Sequence, residues 1–321
     1  MLPKIWRMAN KMSGAATAAV EADQNDATCA NCGIAQVDEI KLKDCGGCDL
    51  VKYCSDKCKE EHREQHEEEC KRRAKKLHDD DLFTQPDGTH LGECPLCFLP
   101  MPLARSKSMF HTCCSSLICM GCITANSLSN INDELKATQC PFCREPAPDN
   151  TEESRSKLME RVKAKDPAAM RKFGEQRCDA GDYDGALKYY TKAAELGDAD
   201  AHYRLGEMYF KGEGVEKDEE KVVYCLEQAA IGGHPGARYA LARMDWRDGR
   251  TERSVRHFII AAKLGCELSM KALWGDFKDG NITKEDLDAT LRAHKAALDA
   301  MKSSERTCAE AFMSQIMESN R

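Results

Sequence analysis

The six residues KAAELG at positions 192–197 return as QAAIGG at 228–233 and as IAAKLG at 260–265, at offsets of 36 and 32 residues. A second register, Phe173-Gly174, Leu205-Gly206, Leu241-Ala242 and Trp274-Gly275, steps by 32, 36 and 33. Both registers lengthen over the same interval, where the stretch KGEGVEKD at 211–218 adds about four residues to a unit of roughly 32. A period in the low thirties, with small residues at fixed places, belongs to paired antiparallel helices stacked into a solenoid. Ala and Gly mark close helix approaches, and Tyr, Leu and Phe supply buried bulk. The expected fold class is mainly α: a helical-hairpin repeat solenoid, preceded by two small, loop-rich, metal-stabilised segments.

Those segments announce themselves by cysteine. Nineteen cysteines occur in 321 residues; fifteen lie between Cys29 and Cys143, and Cys178, Cys225, Cys266 and Cys308 are scattered singly. The first twenty residues lack the apolar core of a secretory signal, so the expected setting is intracellular, cytoplasm or nucleus. There thiols stay reduced, and thiols in paired spacing read as metal ligands. A composition of 42% hydrophobic and 31% charged residues permits folded domains. No run approaches 18 apolar residues, so no membrane partner is expected. A formal charge of -7 argues against nucleic acid as a partner. No P-loop, dinucleotide fingerprint, H-E-x-x-H or G-x-S-x-G occurs, so no catalytic residue is assigned.

The first cluster reads Cys29-x2-Cys32, Cys45-x2-Cys48, Cys54-x3-Cys58 and His66-x3-Cys70. The last two pairs have i,i+4 spacing, so one helical turn aims both groups to the same side. Four pairs make two closed tetrahedral zinc sites. So short a segment cannot bury enough apolar area to fold unaided. These eight residues, with Tyr53 beside Cys54, resemble a MYND-type zinc finger. The resemblance implies two interleaved Zn2+ ions, one on Cys29, Cys32, Cys54 and Cys58, the other on Cys45, Cys48, His66 and Cys70. It also implies a protein-interaction module that takes proline-containing peptides. His62, one turn before His66, is read as part of a solvated face rather than a ligand. MYND fingers also occur inside SET-domain lysine methyltransferases, but no Asn-His pair occurs in this chain, so binding is expected instead. The charged stretch 59–81 predicts a polar helix that fades in the turn-forming residues 84–88.

The second cluster contains Cys94-x2-Cys97, His111, Cys113, Cys114, Cys119-x2-Cys122 and Cys140-x2-Cys143. It resembles a RING finger, which implies a first site of Cys94, Cys97, Cys119 and Cys122 and a second containing Cys114, Cys140 and Cys143. The family's histidine position is Ser116 here, a poor zinc ligand. The last ligand therefore falls to His111 or Cys113, the second site is expected to be the weaker, and one or two Zn2+ ions are expected. The resemblance further implies a ubiquitin-conjugating-enzyme contact through Leu96 and Pro141, with Arg144 at the position of the family's bridging arginine.

In the repeats, G-x-x-Y-x-x-G-x-G-V-x-x-D at 206–218, followed by A-A-x-x-G, resembles the Sel1-like repeats, a tetratricopeptide relative. That resemblance covers about residues 167–300, with Leu273 to Ala300 as a capping unit. The expected organisation is a disordered tail at 1–26, the MYND-type finger at 27–72, a charged helix end and linker at 73–89, the RING-like finger at 90–150 and Sel1-like repeats at 151–321. The expected function is a zinc-binding adaptor or scaffold between proteins. The alternative is a RING-type E3 ubiquitin ligase whose MYND finger or repeats recruit substrates. The adaptor is preferred because a weak second site would let the Pro141 loop wander, and an error of about 1 Å costs about 10²-fold in rate.

Overall fold

The computed structural model describes residues 28–36, 41–48, 50–131, 138–148 and 150–319. The tail expected at 1–26 lies outside them. The chain divides into two compact units, the first ending at Thr84 and the second beginning at Gln85.

In the first unit, β1 (Lys43–Asp44) pairs antiparallel with β2 (Lys52–Tyr53). Helix α1 (Asp56–Glu61) follows, then α2 (Arg63–Phe83). Ser55 starts α1 because its hydroxyl accepts the Cys58 N–H, one of the donors a helix leaves unpaired at its start. The polar helix read at 59–81 is split at His62: residues 59–61 end α1, and the rest forms α2, which runs on to Phe83 and is studded with i,i+3 and i,i+4 pairs such as Lys71–Glu67 and Arg72–Glu69. It ends where the chain turns extended at Thr84, at the start of the turn-forming stretch.

The second unit opens with a β-hairpin, β3 (Ser108–His111) against β4 (Ser116–Cys119), and continues into α3 (Met120–Ser129). Helix α4 (Thr151–Lys163) precedes four helical hairpins: α5 (Pro167–Asp179) with α6 (Tyr183–Glu195), α7 (Ala199–Lys211) with α8 (Glu219–Ile231), α9 (Pro235–Arg247) with α10 (Thr251–Lys263), and α11 (Glu267–Lys278) with α12 (Lys284–Ala300). Helix α13 (Ser304–Ser319) closes the chain. Asp166, Asp182, Asp198 and Asp218 each cap the following helix by accepting a backbone N–H three residues on. His234 takes that role for α9. The glycine ending each A-A-x-x-G motif adopts the left-handed conformation that ends a helix without a Cβ penalty, with φ of 88°, 78° and 91° at Gly197, Gly233 and Gly265. Among the described residues no helix is long and apolar enough to cross a membrane.

One buried cluster joins Leu158, Phe173, Tyr190, Leu205 and Met208; a second joins Phe258, Leu273 and Leu287. Each such side chain contributes about 1.5–3 kcal/mol when fully buried. Phe110 of β3 packs against the first cluster, so the cysteine-rich hairpin shares the core of the repeats.

The structure corrects the third step of the second register. The helices that open the hairpins begin at Pro167, Ala199, Pro235 and Glu267, at steps of 32, 36 and 32 residues. Leu273, fully buried, thus occupies the place of Phe173, Leu205 and Leu241, while Trp274 is 45% exposed. Packing explains the slip. A Cβ on Gly174 would stand 2.8 Å from the Tyr190 ring, whereas one on Gly275 meets nothing within 4 Å. Gly275 only mimics the close-packed glycine. Accordingly, Gly174→Ala should lower stability by about 1–3 kcal/mol through overpacking, and Gly275→Ala should raise it by about 0.5–1 kcal/mol through helix propensity. Urea unfolding of the two variants beside the parent checks both signs.

Candidate metal centres

Four groups of thiol and imidazole donors stand ready-made, each with its four ligand atoms within 4.8 Å of one another. In the first unit, Cys54 directly follows β2 and the capped turn of α1 delivers Cys58, with sulfurs 3.6 Å apart. Cys32 approaches Cys54 at 3.5 Å, and Cys29 completes that group. The second group takes Cys45 and Cys48 from the turn between β1 and β2, and His66 and Cys70 from one face of α2. There Cys45 Sγ lies 3.6 Å from Cys70 Sγ, and Cys48 Sγ lies 3.2 Å from His66 Nε2. His62 stays outside both groups, its Nδ1 held 3.0 Å from the buried Tyr53 hydroxyl.

In the second unit, Cys94 and Cys97 meet Cys119 and Cys122, with Cys94–Cys122 at 3.8 Å and Cys97–Cys119 at 3.9 Å. The last group consists of Cys113, Cys114, Cys140 and Cys143, with separations of 3.4 Å for Cys113–Cys143 and 3.9 Å for Cys114–Cys140. Of the two residues left open by the sequence, the fold thus brings in Cys113. His111 ends β3 directly opposite Ser116, which holds it in the hairpin, and its Nε2 is buried without a hydrogen-bond partner.

A tetrahedron with Zn–S bonds of about 2.3 Å has edges of about 3.8 Å, so these separations fit zinc. All nineteen cysteines are free thiols. Without a cation the sulfurs obstruct one another's ionisation. The neighbouring thiols of Cys32 and Cys58 push Cys54 up to about 12. Burial and the adjacent Cys45 push Cys70 up to about 12. Burial and Cys143 raise Cys113, and burial and Cys119 raise Cys122. Backbone N–H groups work the other way: burial would raise Cys29 and Cys94, but N–H donors, from Cys32 and Cys54 in one case and Cys119 and Cys97 in the other, bring them down to about 6 and about 7. Each cage therefore favours partial ionisation, and a divalent cation completes it.

The residues matched to a conjugating-enzyme contact are placed unequally. Leu96 is half-buried in the small core of Met101 and Ile118, and Pro141 is buried. Pro141 lines a cavity of about 270 Å³ with Phe110, Ile123, Asn126 and Pro148. Arg144 is exposed, with φ 64°. Phe98 follows the first Cys-x2-Cys turn in the same conformation, φ 57°, so that turn geometry accounts for the Arg144 backbone.

His90, Asp200 and His234 form a fifth cluster, different in kind. His234 is stacked between Tyr203 and His90, with centroids 4.3 and 4.1 Å away. Its Nδ1 accepts the Ala237 N–H, so the neutral ring carries its proton on Nε2, which faces Asp200 Oδ1 at 3.4 Å. A metal on Nε2 would force that proton onto Nδ1, against the Ala237 N–H. Arg171 Nη1 lies 3.2 Å from Asp200 Oδ2. Burial and the neighbouring His234 depress His90 to about 3, which keeps it neutral. This cluster joins His90, at the start of the second cysteine-rich segment, to α7 and α9 as a polar stack and holds a proton where the others fit an ion.

Two arginines near the sulfur cages carried no signal in the sequence. Arg306 of α13 reaches Cys97 Sγ, and Arg161 of α4 reaches the Cys114 carbonyl. Both contacts join distant parts of the chain, and neither arginine belongs to a spacing pattern.

A family model described as MYND finger matches residues 29–70. A second, described as Sel1 repeat, matches residues 169–198 and 199–234. Similar solved structures include a Sel1 repeat protein from Oxalobacter formigenes, 24% identical over 56% of this chain and 71% of that one, with a TM-score of 0.41. A protective antigen of uropathogenic Escherichia coli strains displaying an SLR fold is 19% identical over 53% of this chain and 37% of its own, TM-score 0.38. An immunity protein from Pseudomonas aeruginosa is 19% identical over 57% and 66%, TM-score 0.32. The chain thus carries a zinc-binding MYND finger and, behind a second cysteine-rich segment, Sel1 repeats, both of them protein-interaction modules.

Proposed function

We propose that this chain is a zinc-stapled adaptor: the MYND finger and the Sel1-like repeats each bind a protein partner, and their covalent linkage brings the two together. The observation that carries the reading is the closure of all four cages. Each has four thiol or imidazole donors, which leaves no coordination position for water or substrate. Such zinc shapes loops; it does not activate a nucleophile. Two ions belong to the MYND finger, on the interleaved ligand sets already named. Two belong to the RING-like finger, on Cys94, Cys97, Cys119 and Cys122 and on Cys113, Cys114, Cys140 and Cys143. Nineteen free thiols suit a reducing setting, cytoplasm or nucleus. Proline-containing peptides are the ligand class assigned to the MYND finger.

A ligase reading gains from the second RING-like cage, whose four thiols tie the Pro141 loop more firmly than Ser116 led one to expect. The burial of Pro141 weighs against it, because a conjugating enzyme needs that ring on an open surface. The adaptor reading is the one retained. Ubiquitin discharge from charged conjugating enzymes onto free lysine should run at the uncatalysed rate, while affinity capture on the MYND finger or repeats should recover partners whose retention needs zinc. Acceleration that disappears in both Leu96→Ala and Arg144→Ala would replace the adaptor with a ligase.

Native mass spectrometry should count four zinc ions per chain. Cys113→Ser should reduce the count to three, and His111→Ala should leave it at four; the reverse pattern would reassign the ligand. Cys54→Ser should remove one MYND ion and loosen the other, because the two sites share one chain path. Chelation should abolish amide protection over residues 29–58, where zinc supplies about 10–16 kcal/mol in comparable finger peptides, while circular dichroism retains most of the helical signal of the repeats.

A further inference from the structure

The RING-like finger is gripped from both ends of the helical array. Arg306, in the first turn of α13, is only 5% exposed. Its Nη1 donates to the carbonyls of Pro100 at 2.8 Å and Met301 at 2.6 Å, and its Nη2 donates to the Leu99 carbonyl at 3.3 Å and to Cys97 Sγ at 3.4 Å. Helix α13 crosses α3 so closely that a Cβ on Gly121 would stand 2.8 Å from the Arg306 backbone nitrogen. At the other end, Arg161 of α4 donates through Nη2 to the Cys114 carbonyl at 3.2 Å and through Nε to Ser115 Oγ at 3.3 Å. Lys157, one turn earlier, donates to the Pro146 carbonyl at 2.8 Å. Between these grips, the His90 N–H donates to the Gly233 carbonyl at 3.1 Å.

Charge explains why arginine stands there. Four thiolates around Zn2+ leave a net charge of -2, and a largely buried anion needs charged donors aimed at it. Arg306 delivers its charge to a ligand sulfur itself, while Arg161, whose Nη2 also pairs with Asp166 Oδ2 at 3.1 Å, holds the carbonyl of a ligand. A repeat array otherwise makes contacts only between neighbours, so nothing inside it links the helix before the first hairpin to the helix after the last. The finger touches both.

We infer that the RING-like finger is a zinc-dependent clasp on the repeat array, with Arg306 fastening α13 to its first cage and Arg161 fastening α4 to its second. The inference rests on the zinc assignment above. Arg306 is a positioning residue: it holds a zinc ligand and the last helix in one arrangement. When the first cage loses its ion, its loop loosens and α13 is released.

The test uses the zinc-loaded full chain, with release followed by a chromogenic chelator and helix docking by hydrogen–deuterium exchange. Arg306→Met should make one ion leave about 10–100-fold faster, the range for lost partners of metal ligands, and should raise exchange across α13. Gly121→Ala keeps the arginine and favours the α3 helix, yet pushes α13 away, so it should reproduce both effects. Arg306→Lys, which keeps the charge but not the forked donors, should fall between Met and the parent. Lys107→Ala removes only the exposed pair with Glu310 of α13 and should change neither readout. Chelation of the parent chain should raise exchange in α13 and in α4 while α6 to α10 stay protected. Parental release rates in both Arg306→Met and Gly121→Ala, or an α13 indifferent to chelation in a chain that carries four ions, would overturn the clasp alone. A native mass spectrum without RING-like zinc would overturn the zinc assignment and the clasp together.

Discussion

Sulfur and nitrogen donors stand four at a time within 4.8 Å of one another, a crowding of ionisable groups that a shared cation favours. The first unit depends on this constraint almost entirely. Its strands are two residues long, and its buried cluster consists of Tyr53 and the thiols themselves. Among the described residues, only Ala30, Leu42 and Val51 add apolar packing to that cluster, little to retain the loops without a shared cation. The second unit is differently placed. Its two cages rest on a segment whose Phe110 enters the core of the repeats, so hydrophobic burial helps to hold the same loops.

Much of this could be read from the residues in order. The eight MYND donors were legible because each pair has its own local geometry, a turn for Cys-x2-Cys and one helical turn for Cys54–Cys58 and His66–Cys70. The hairpin period was legible because small residues recur where helices meet. What escaped was decided by contacts rather than spacing. Adjacent Cys113 and Cys114, with His111 nearby, gave no basis for a choice until the β3–β4 register placed His111 opposite Ser116. Trp274-Gly275 imitated the close-packed pair of the other repeats, yet the burial of Leu273 fixes the true register one residue earlier.

The His90–Asp200–His234 cluster shows why donor types alone do not define a metal site. Its three side chains are as close together as those of the sulfur cages. The difference lies in prior commitments: one imidazole nitrogen caps α9, and the carboxylate already faces Arg171. Burial raises the Asp200 carboxyl, but His234 and Arg171 outweigh it and hold the group ionised. Cysteine has few such competing obligations, which is one reason the sulfur positions were the more readable.

The longer second hairpin has a consequence for how this chain can change length. Its extra residues lie in the turn between α7 and α8, where Gly214 comes against Tyr183 at the corresponding turn of the preceding hairpin. The finger's linker meets the other row of turns, where Gly233 faces Gly88 and His90. The two edges of the array thus have different tolerances. One is a measured rail, on which any added residue would shift the seat of the finger; the other has already taken in an insertion, and holds it by packing Val215 against the first buried cluster.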